Sequence, residues 1–358
     1  MAIKRVLLFL IALLLVCRCL AVAGEPQYLH VQMPSALLSQ FWGQEVDMDA
    51  YVLLPDSYYK EPQKRYPVLY WIQGFGGVGQ IDVRSELDFQ RPMRRLHREF
   101  IVVLLNGMFD GGDQEFADSA NNGPWGDALT TELIPKTEAR FRAIGTPDER
   151  FVVGHSSGGW SALWLQVAYP DLFGAEWSLS PDPVDFRNFT GPDLTRIPPQ
   201  NFFTDPAGRD YTIDGQTLRR FVVGAGWERQ QFESFDAVFS PRAADGKPEP
   251  LFDRKTGVID PNVERYWEEH YDIARILRDR WAALGPKLRG KLHIIVGTRD
   301  EFHLDAPVAL LQQELERLGS DAEIDFANGA DHSGVFDWKG GAIDYIVSEA
   351  ASIAPTAR

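Results

Sequence analysis

Short, wholly apolar runs alternate along this chain with stretches whose apolar residues recur at helical spacing. Tyr28 to Met33 and Met48 to Leu54 predict strands, the second closed by Pro55-Asp56-Ser57-Tyr58. Tyr66 to Ile72 (YPVLYWI) is denser in apolar residues, as a strand covered on both faces must be. Glu86 to Glu99 reads as helix, and Phe100 to Leu105 again as buried strand. A polar loop rich in Gly, Asp and Asn then runs to Gly123-Pro124-Trp125, and Thr130 to Phe141 predicts a helix despite Pro135. Phe151-Val152-Val153 is the next strand. Ala162, Leu165, Gln166 and Tyr169 follow at helical spacing until Pro170, and Gly174 to Ser180 predicts a sixth strand. Such alternation builds an open, mostly parallel sheet with helices on both faces, whose ligands bind at the carboxyl ends of the strands.

After Ser180 the alternation stops. Pro181 to about Pro286 holds many Pro, Asp and Arg residues with scattered aromatic ones. About a hundred residues far exceeds an ordinary helix-to-strand connection, and predicts an insertion folded over the carboxyl edge of the sheet. Within it, Asp260-Pro261 is a helix start; Val263, Trp267, Tyr271, Ala274, Leu277 and Trp281 keep helical spacing until Gly285-Pro286. Asn188-Phe189-Thr190 is a glycosylation sequon, meaningful only in a host that glycosylates exported chains. Leu292 to Gly297 predicts the next strand. Asp305-Ala306-Pro307 opens a helix, Glu323 to Ala327 is the last strand, and a C-terminal helix follows the loop 328–334.

The N-terminus changes the picture of compartment. Lys4 and Arg5 precede the apolar run Val6 to Val16, and Ala21-Val22-Ala23 offers a small-x-small cleavage site. That pattern predicts a secretory signal over 1–23 and a mature domain over 24–358, periplasmic or extracellular. The run is too short to span a bilayer, so no stable membrane insertion is expected after cleavage. Cys17 and Cys19, the chain's 2 cysteines, both fall in this leader. The mature chain therefore has no thiol for a disulfide, a nucleophile or a metal site. The formal charge of −15 becomes more negative once Lys4, Arg5 and Arg18 are removed. A surface of that sign repels nucleic acid and anionic membranes, and no nucleic-acid partner is expected.

The candidate chemistry centres on Gly154-His155-Ser156-Ser157-Gly158, a G-x-S-x-G sequence with strand before it and helix after it. A serine at the tip of such a turn is exposed to substrate, and glycines are needed two residues to either side because the turn leaves no room for side chains. Ser156 is the candidate nucleophile. The beginning helix aims unpaired N–H groups outward, so the Ser157 N–H is a candidate oxyanion donor. Gln73-Gly74-Phe75-Gly76-Gly77 follows a central strand and lacks the Lys-Ser/Thr ending of a phosphate loop; it supplies the Phe75 N–H as second donor. A serine needs a base, and the base an orienting carboxylate. Of 7 histidines, His332 lies in the loop after the last strand, on the correct edge, with His303 the fallback. Asp300 follows the preceding strand. Glu301 and Asp182 are the alternative acids, and Asp305 reads better as a helix N-cap. The order Ser156, Asp300, His332 is that of the α/β-hydrolases, and such chemistry requires no metal or cofactor.

The stretches RYPVLYWIQGFGG, GPWGDALTTELIPKTEARFR, RFVVGHSSGGWSALWLQVAYPDLFGA, GTRDEFHL and GADHSGVF together resemble the esterase family that includes S-formylglutathione hydrolases, enterochelin esterases, feruloyl esterases and mycolyltransferases. The resemblance covers much of 45–180 and 290–340. It implies an α/β-hydrolase fold with Ser156 as nucleophile, Asp300 as acid, His332 as base and oxyanion donors from Phe75 and Ser157. The chain departs from it at Gln73, where many relatives carry histidine or aspartate, and in the long 181–286 segment. Phe75, Phe109, Trp125, Trp160, Phe186, Phe202 and Phe203 make the expected surroundings aromatic; some of them must be core, and Trp125 and Trp160 are the candidate substrate-binding residues. Flat apolar walls suit an acylated carbohydrate or a hydroxycinnamoyl ester. The alternatives are an acyltransferase of the same fold and an inactive binding protein on a hydrolase scaffold.

Overall fold

Eight apolar segments pair into one sheet: β1 Leu29–Pro34, β2 Asp47–Leu53, β3 Val68–Ile72, β4 Ile101–Leu105, β5 Arg150–His155, β6 Ala175–Leu179, β7 Leu292–Gly297 and β8 Glu323–Ala327. The computed structural model describes residues 28–77, 89–110, 112–224 and 227–356. The expected export signal over 1–23 lies outside these residues. So does the start of the helix expected from Glu86, whose described part is Gln90–Leu96. The strand order is β1-β2-β4-β3-β5-β6-β7-β8. β2 runs antiparallel to both neighbours, and every other pairing is parallel.

The inner strands read as continuous apolar runs because alternate residues enter two different cores. Leu69, Trp71, Val102, Leu104, Phe151 and Val153 pack with the helices Gln90–Leu96 and Ala342–Ile353 on one face. Val68, Tyr70, Ile72, Val103 and Val152 pack on the other with Leu133, Ile134, Ala162 and Leu165. Pro135 is accommodated by a local change of hydrogen bonding. Leu129–Leu133 is a π-turn in which the Ile134 N–H donates to the Leu129 carbonyl, and Ile134–Arg140 continues as α-helix.

Between β6 and β7 the chain builds a body whose core is continuous with Trp160, Leu163, Leu292 and Ile294 of the sheet layer. A hairpin, Thr212–Ile213 with Gln216–Thr217, precedes the helices Leu218–Val223, Trp227–Phe239 and Pro261–Tyr271. Aromatic rings fill their centre: Phe202 stacks on Phe252 at 3.8 Å, and Phe239 packs against Trp267 at 5.3 Å. The helical run expected to continue from Asp260 to Pro286 is instead two helices. Asp272 breaks it, leaving helical dihedrals at φ −70, ψ 101 and accepting the Arg275 N–H to cap Ile273–Leu288. Gly285-Pro286 does not end this second helix, which runs on to Leu288. Without a Cβ, Gly285 leaves space beside the Trp281 indole one turn earlier. The sequon folds into a tight turn, with Thr190 buried at φ 57 and its hydroxyl donating to the Phe189 carbonyl.

This body rests on the carboxyl edge of the sheet. Ser119 Oγ donates to the Ala237 carbonyl at 3.0 Å, and Asn121 Nδ2 to the Ser240 carbonyl at 2.8 Å. On the far side the Asp214 N–H donates to the Glu301 carbonyl at 2.8 Å, and His303 Nε2 lies 2.9 Å from the Thr212 carbonyl. The loops after β4 and after β7 are thereby joined to one covering element.

Candidate active site

β5 ends at His155, and the helix Ser157–Ala168 begins two residues later. Ser156 makes this turn alone, at φ 59, ψ −125, a region where a side chain is strained by on the order of 1–3 kcal/mol. The conformation persists because its neighbours over-determine it. The Ser156 N–H donates to the Leu179 carbonyl at 2.9 Å, and its own carbonyl accepts from Trp160 at 3.0 Å and Asp182 at 3.2 Å. A Cβ on Gly154 would overlap the Gly158 carbonyl, and one on Gly158 would overlap the Ile72 carbonyl. Glycine at both positions is what lets helix, β5 and β3 close together under the serine.

His332 stands in the loop after β8, mostly buried, and its Nδ1 lies 2.8 Å from Asp300 Oδ2 in the loop after β7. The carboxylate can only accept, so Nδ1 carries the proton and Nε2 is left with a lone pair. Burial by itself would depress this imidazole. The hydrogen bond to Asp300 and the charges of Asp300, Asp182 and Glu301 outweigh it, and the pKa is raised above the ordinary histidine value. His155 points from the turn to the same loop, its Nε2 donating to the His332 carbonyl at 3.0 Å. Burial, and then the neighbouring His332, push His155 down to about 3, so it stays neutral. Phe302 meets the His332 ring edge-on at 4.7 Å. Asp300, His332 and the Ser156 turn thus gather at one edge; among the described residues Ser156 Oγ makes no hydrogen bond to His332.

The loop after β3 closes on the serine, since a Cβ on Gly74 would come 2.9 Å from the Ser156 Cβ. Phe75 is half-buried in the turn that the Gly77 N–H closes on the Gly74 carbonyl. Ser157, at the first helical position, has an N–H with no intrahelical acceptor. The aromatic expectation needs correction. Trp125 and Trp160 are 2% and 1% exposed and serve as core. Trp125 packs against Phe109 and Phe116 with its N–H on the Asn122 carbonyl, and Trp160 stacks on Trp164 at 5.2 Å. Phe186, Phe202 and Phe203 are likewise buried, inside the body between β6 and β7. The rings that do flank the histidines are Phe302 and Phe336, both half-buried.

Asp182 does not pair with His332. It accepts from Ser157 Oγ at 2.6 Å and from Gln231 Nε2 at 3.4 Å. Asp113 and Glu115 are buried beside it, and Glu115 takes the Ser161 hydroxyl at 2.9 Å. Nothing in the sequence pattern marks Asp113 and Glu115, which sit in a polar loop. Only Asp182, placed just after a strand on this edge, was legible as a candidate at all.

Fold and site define an α/β-hydrolase. The chain belongs to the esterase family, whose description reads "Putative esterase" and whose model matches residues 43–341. Two esterases of Mycobacterium tuberculosis, from strains H37Rv and CDC 1551 / Oshkosh, are each 35% identical over 145 residues, which is 39% of this chain and 30% of theirs. The match thus spans less than a third of the length of those relatives. Among solved structures, a ferulic acid esterase aligns at TM-score 0.57 and 15% identity over 92% of this chain and 99% of that one. The fluorophosphonate-binding serine hydrolase F of Staphylococcus aureus gives 0.57 and 17%, over 91% and 99%. An S-formylglutathione hydrolase from Agrobacterium tumefaciens gives 0.54 and 14%, over 92% and 97%. At these identities the likeness establishes the fold. Among the described residues no helix is long and apolar enough to cross a membrane.

Proposed function

We propose that the chain is a serine esterase working through an acyl-enzyme, with Ser156 as nucleophile, His332 as general base and Asp300 as its orienting acid. One observation carries the reading: a strained serine at a strand-to-helix turn shares a sheet edge with a buried histidine whose Nδ1 is held by a carboxylate. His332 Nε2 takes the Ser156 proton as Oγ attacks the ester carbonyl. The oxygen that becomes negative is met by the N–H groups of Phe75 and Ser157. Collapse of this intermediate expels the alcohol, which leaves with the proton from His332. Water then repeats the sequence on the acyl-enzyme, giving up its proton to His332 and releasing the acid with Ser156 restored. The contact between Ser156 and His332 forms when substrate closes the site, since catalytic hydrogen bonds are often long in unliganded enzymes.

For substrate, the reading is an acylated carbohydrate or hydroxycinnamoyl ester. Half-buried Phe302 and Phe336 beside the two histidines support it, as does the ferulic acid esterase among the fold relatives. The leader pattern at 1–23 supports export, which the mass of the protein recovered from an expressing culture checks: the mature chain is expected to begin after Ala23. The catalytic reading is tested by a fluorophosphonate probe. A single adduct on Ser156, abolished in Ser156→Ala, is expected; folded protein that forms no adduct overturns it.

A further inference from the structure

The peptide joining Ser156 to Ser157 is planar, so its carbonyl oxygen and its N–H belong to one rigid unit and point in opposite directions. Whatever fixes the Ser156 oxygen therefore aims the Ser157 N–H, the donor assigned above to the oxyanion. That oxygen accepts the Trp160 N–H from within the helix and the Asp182 N–H at 3.2 Å from the chain beyond β6. Asp182 reaches the same place a second time, because the Ser157 hydroxyl donates to its Oδ2 at 2.6 Å. One residue thus grips the peptide at its oxygen and at the side chain that follows its N–H.

The surroundings make this grip more than incidental packing. Asp182 is 5% exposed, and among the described residues no Lys or Arg is bonded to it. A buried carboxylate without a cation is costly, and a neutral side chain would fill the space with less penalty. Backbone strain collects at the same spot: Ser156 lies at φ 59 and Ser180, two residues before Asp182, at φ 39. Relaxation at either would rotate the peptide. Gln231, on the helix Trp227–Phe239, donates to the Asp182 carboxylate at 3.4 Å and ties this clamp to the covering body.

We propose that Asp182 is a positioning residue of the esterase reaction, holding the Ser156–Ser157 peptide so that its N–H meets the oxygen as the ester carbonyl becomes tetrahedral. The inference rests on the serine esterase reading above. Asp182 touches no reacting atom and acts through Ser157.

The test compares wild type, Asp182→Ala, Asp182→Asn, Ser157→Ala and the double variant Asp182→Ala/Ser157→Ala. Each is assayed on one activated ester and with a trifluoromethyl ketone, whose adduct on serine places an oxyanion where the tetrahedral intermediate would. Rates are counted per site titrated with fluorophosphonate, so unfolded protein does not contribute. A wild type that neither labels nor hydrolyses the ester sinks the esterase reading itself. With active wild type, Asp182→Ala is expected to lower kcat about ten- to a hundredfold, below the loss for deleting an oxyanion donor outright. KM should stay within about threefold, and ketone affinity should fall in parallel with kcat. Asp182→Asn keeps an oxygen acceptor for the Ser157 hydroxyl and should recover most of the activity. The double variant should lose no more than the larger single loss, because both changes remove one bond. Unchanged kcat and ketone affinity in Asp182→Ala, or a loss confined to Tm, overturns the proposal. So does a loss on the order of 10⁴ in Asp182→Asn, which would make it the orienting acid instead. If Asp182→Ala does not fold, Ser157→Ala cuts the same bond from its other end and decides by the same criteria.

Discussion

Glu301 holds His332 by its backbone: Glu301 Oε2 accepts the His332 N–H at 2.9 Å. Its neighbour Asp300 holds the ring of the same histidine. Side chains of consecutive residues diverge, so two carboxylates from one loop reach two different parts of one residue. Their substitutions should differ accordingly. Asp300→Asn presents the wrong partner to Nδ1 and is expected to lower kcat on the order of 10⁴-fold. Glu301→Gln keeps a carbonyl oxygen for the backbone N–H and should lose no more than about tenfold, the scale of one neutral-for-charged hydrogen bond. Steady-state kinetics on one ester decides, and the reverse ranking would reassign the acid.

The pH dependence follows from the same histidine. As a base, His332 must be neutral, so kcat/KM should fall as pH drops through its pKa. Burial lowers that pKa, but the Asp300 bond and the acidic charges around it raise it further, and the midpoint should lie above the ordinary histidine value of about 6.5. For stability the sign is opposite. A raised folded pKa contributes fully below the unfolded value and is lost as pH rises through the folded one. In Asp300→Asn burial remains while the opposing charge and bond are gone, so the acid limb of the residual activity should move down. A pH–rate profile that leaves this limb in place would exclude His332 as the titrating group.

Much of this architecture was legible because it is written in burial. β3, β4 and β5 are covered on both faces and appear as unbroken apolar runs. The Gly154 to Gly158 turn is constrained by backbone contacts that only glycine satisfies. The placement of Ser156, Asp300 and His332 just after β5, β7 and β8, all on one sheet edge, marked the candidate site. The rest depended on partners that sequence does not specify. A phenylalanine looks the same in sequence whether it lines a pocket or fills a core, so which of the aromatic residues were core was not legible; Phe186 packs on Phe239 and Trp267, and Phe202 and Phe203 on Phe252. Asp272 interrupts an otherwise continuous helical spacing because its carboxylate caps the next helix, accepting from Arg275 and also from the Phe186 N–H. Ser157 Oγ and Asp182 are brought together only by the fold.

Two glycines under the serine should respond differently to a methyl group. At Gly158 it would run into the backbone carbonyls of Ile72 and Gln73, which no rotamer can relieve. Gly158→Ala should yield little folded protein. At Gly74 the methyl would lie 2.9 Å from the Ser156 Cβ and 3.2 Å from the His155 carbonyl, a milder overlap than at Gly158 that requires the loop after β3 to move away from the turn. Gly74→Ala should therefore fold with a near-native Tm. Its kcat should drop by about tenfold or more, since small displacements of the reacting group are expensive. Circular dichroism melts paired with active-site titration separate the two outcomes; a fully active Gly74→Ala would show that the loop after β3 can retreat without consequence.

A buried ion pair at the other end of β5 offers the complementary case, stability without chemistry. Arg150 opens the strand whose last residue is His155, so it lies a full strand length from Ser156. Its Nε and Nη2 meet Glu138 Oε1 and Oε2 at 2.6 and 2.7 Å, and both side chains are less than a tenth exposed. The remaining guanidinium donors reach the Leu172 carbonyl at 2.7 Å and the Gly145 carbonyl at 3.0 Å. Removing the negative partner leaves a buried cation facing only dipoles, so Glu138→Gln is expected to cost about 3–5 kcal/mol in urea unfolding. The intact pair contributes less than that figure, because both charges were first taken out of water. The double variant Glu138→Gln/Arg150→Met should accordingly recover a large part of the loss, with kcat per titrated site unchanged in both. Equal destabilisation in the single and double variants would mean that packing around the strand, rather than the uncompensated charge, sets the cost.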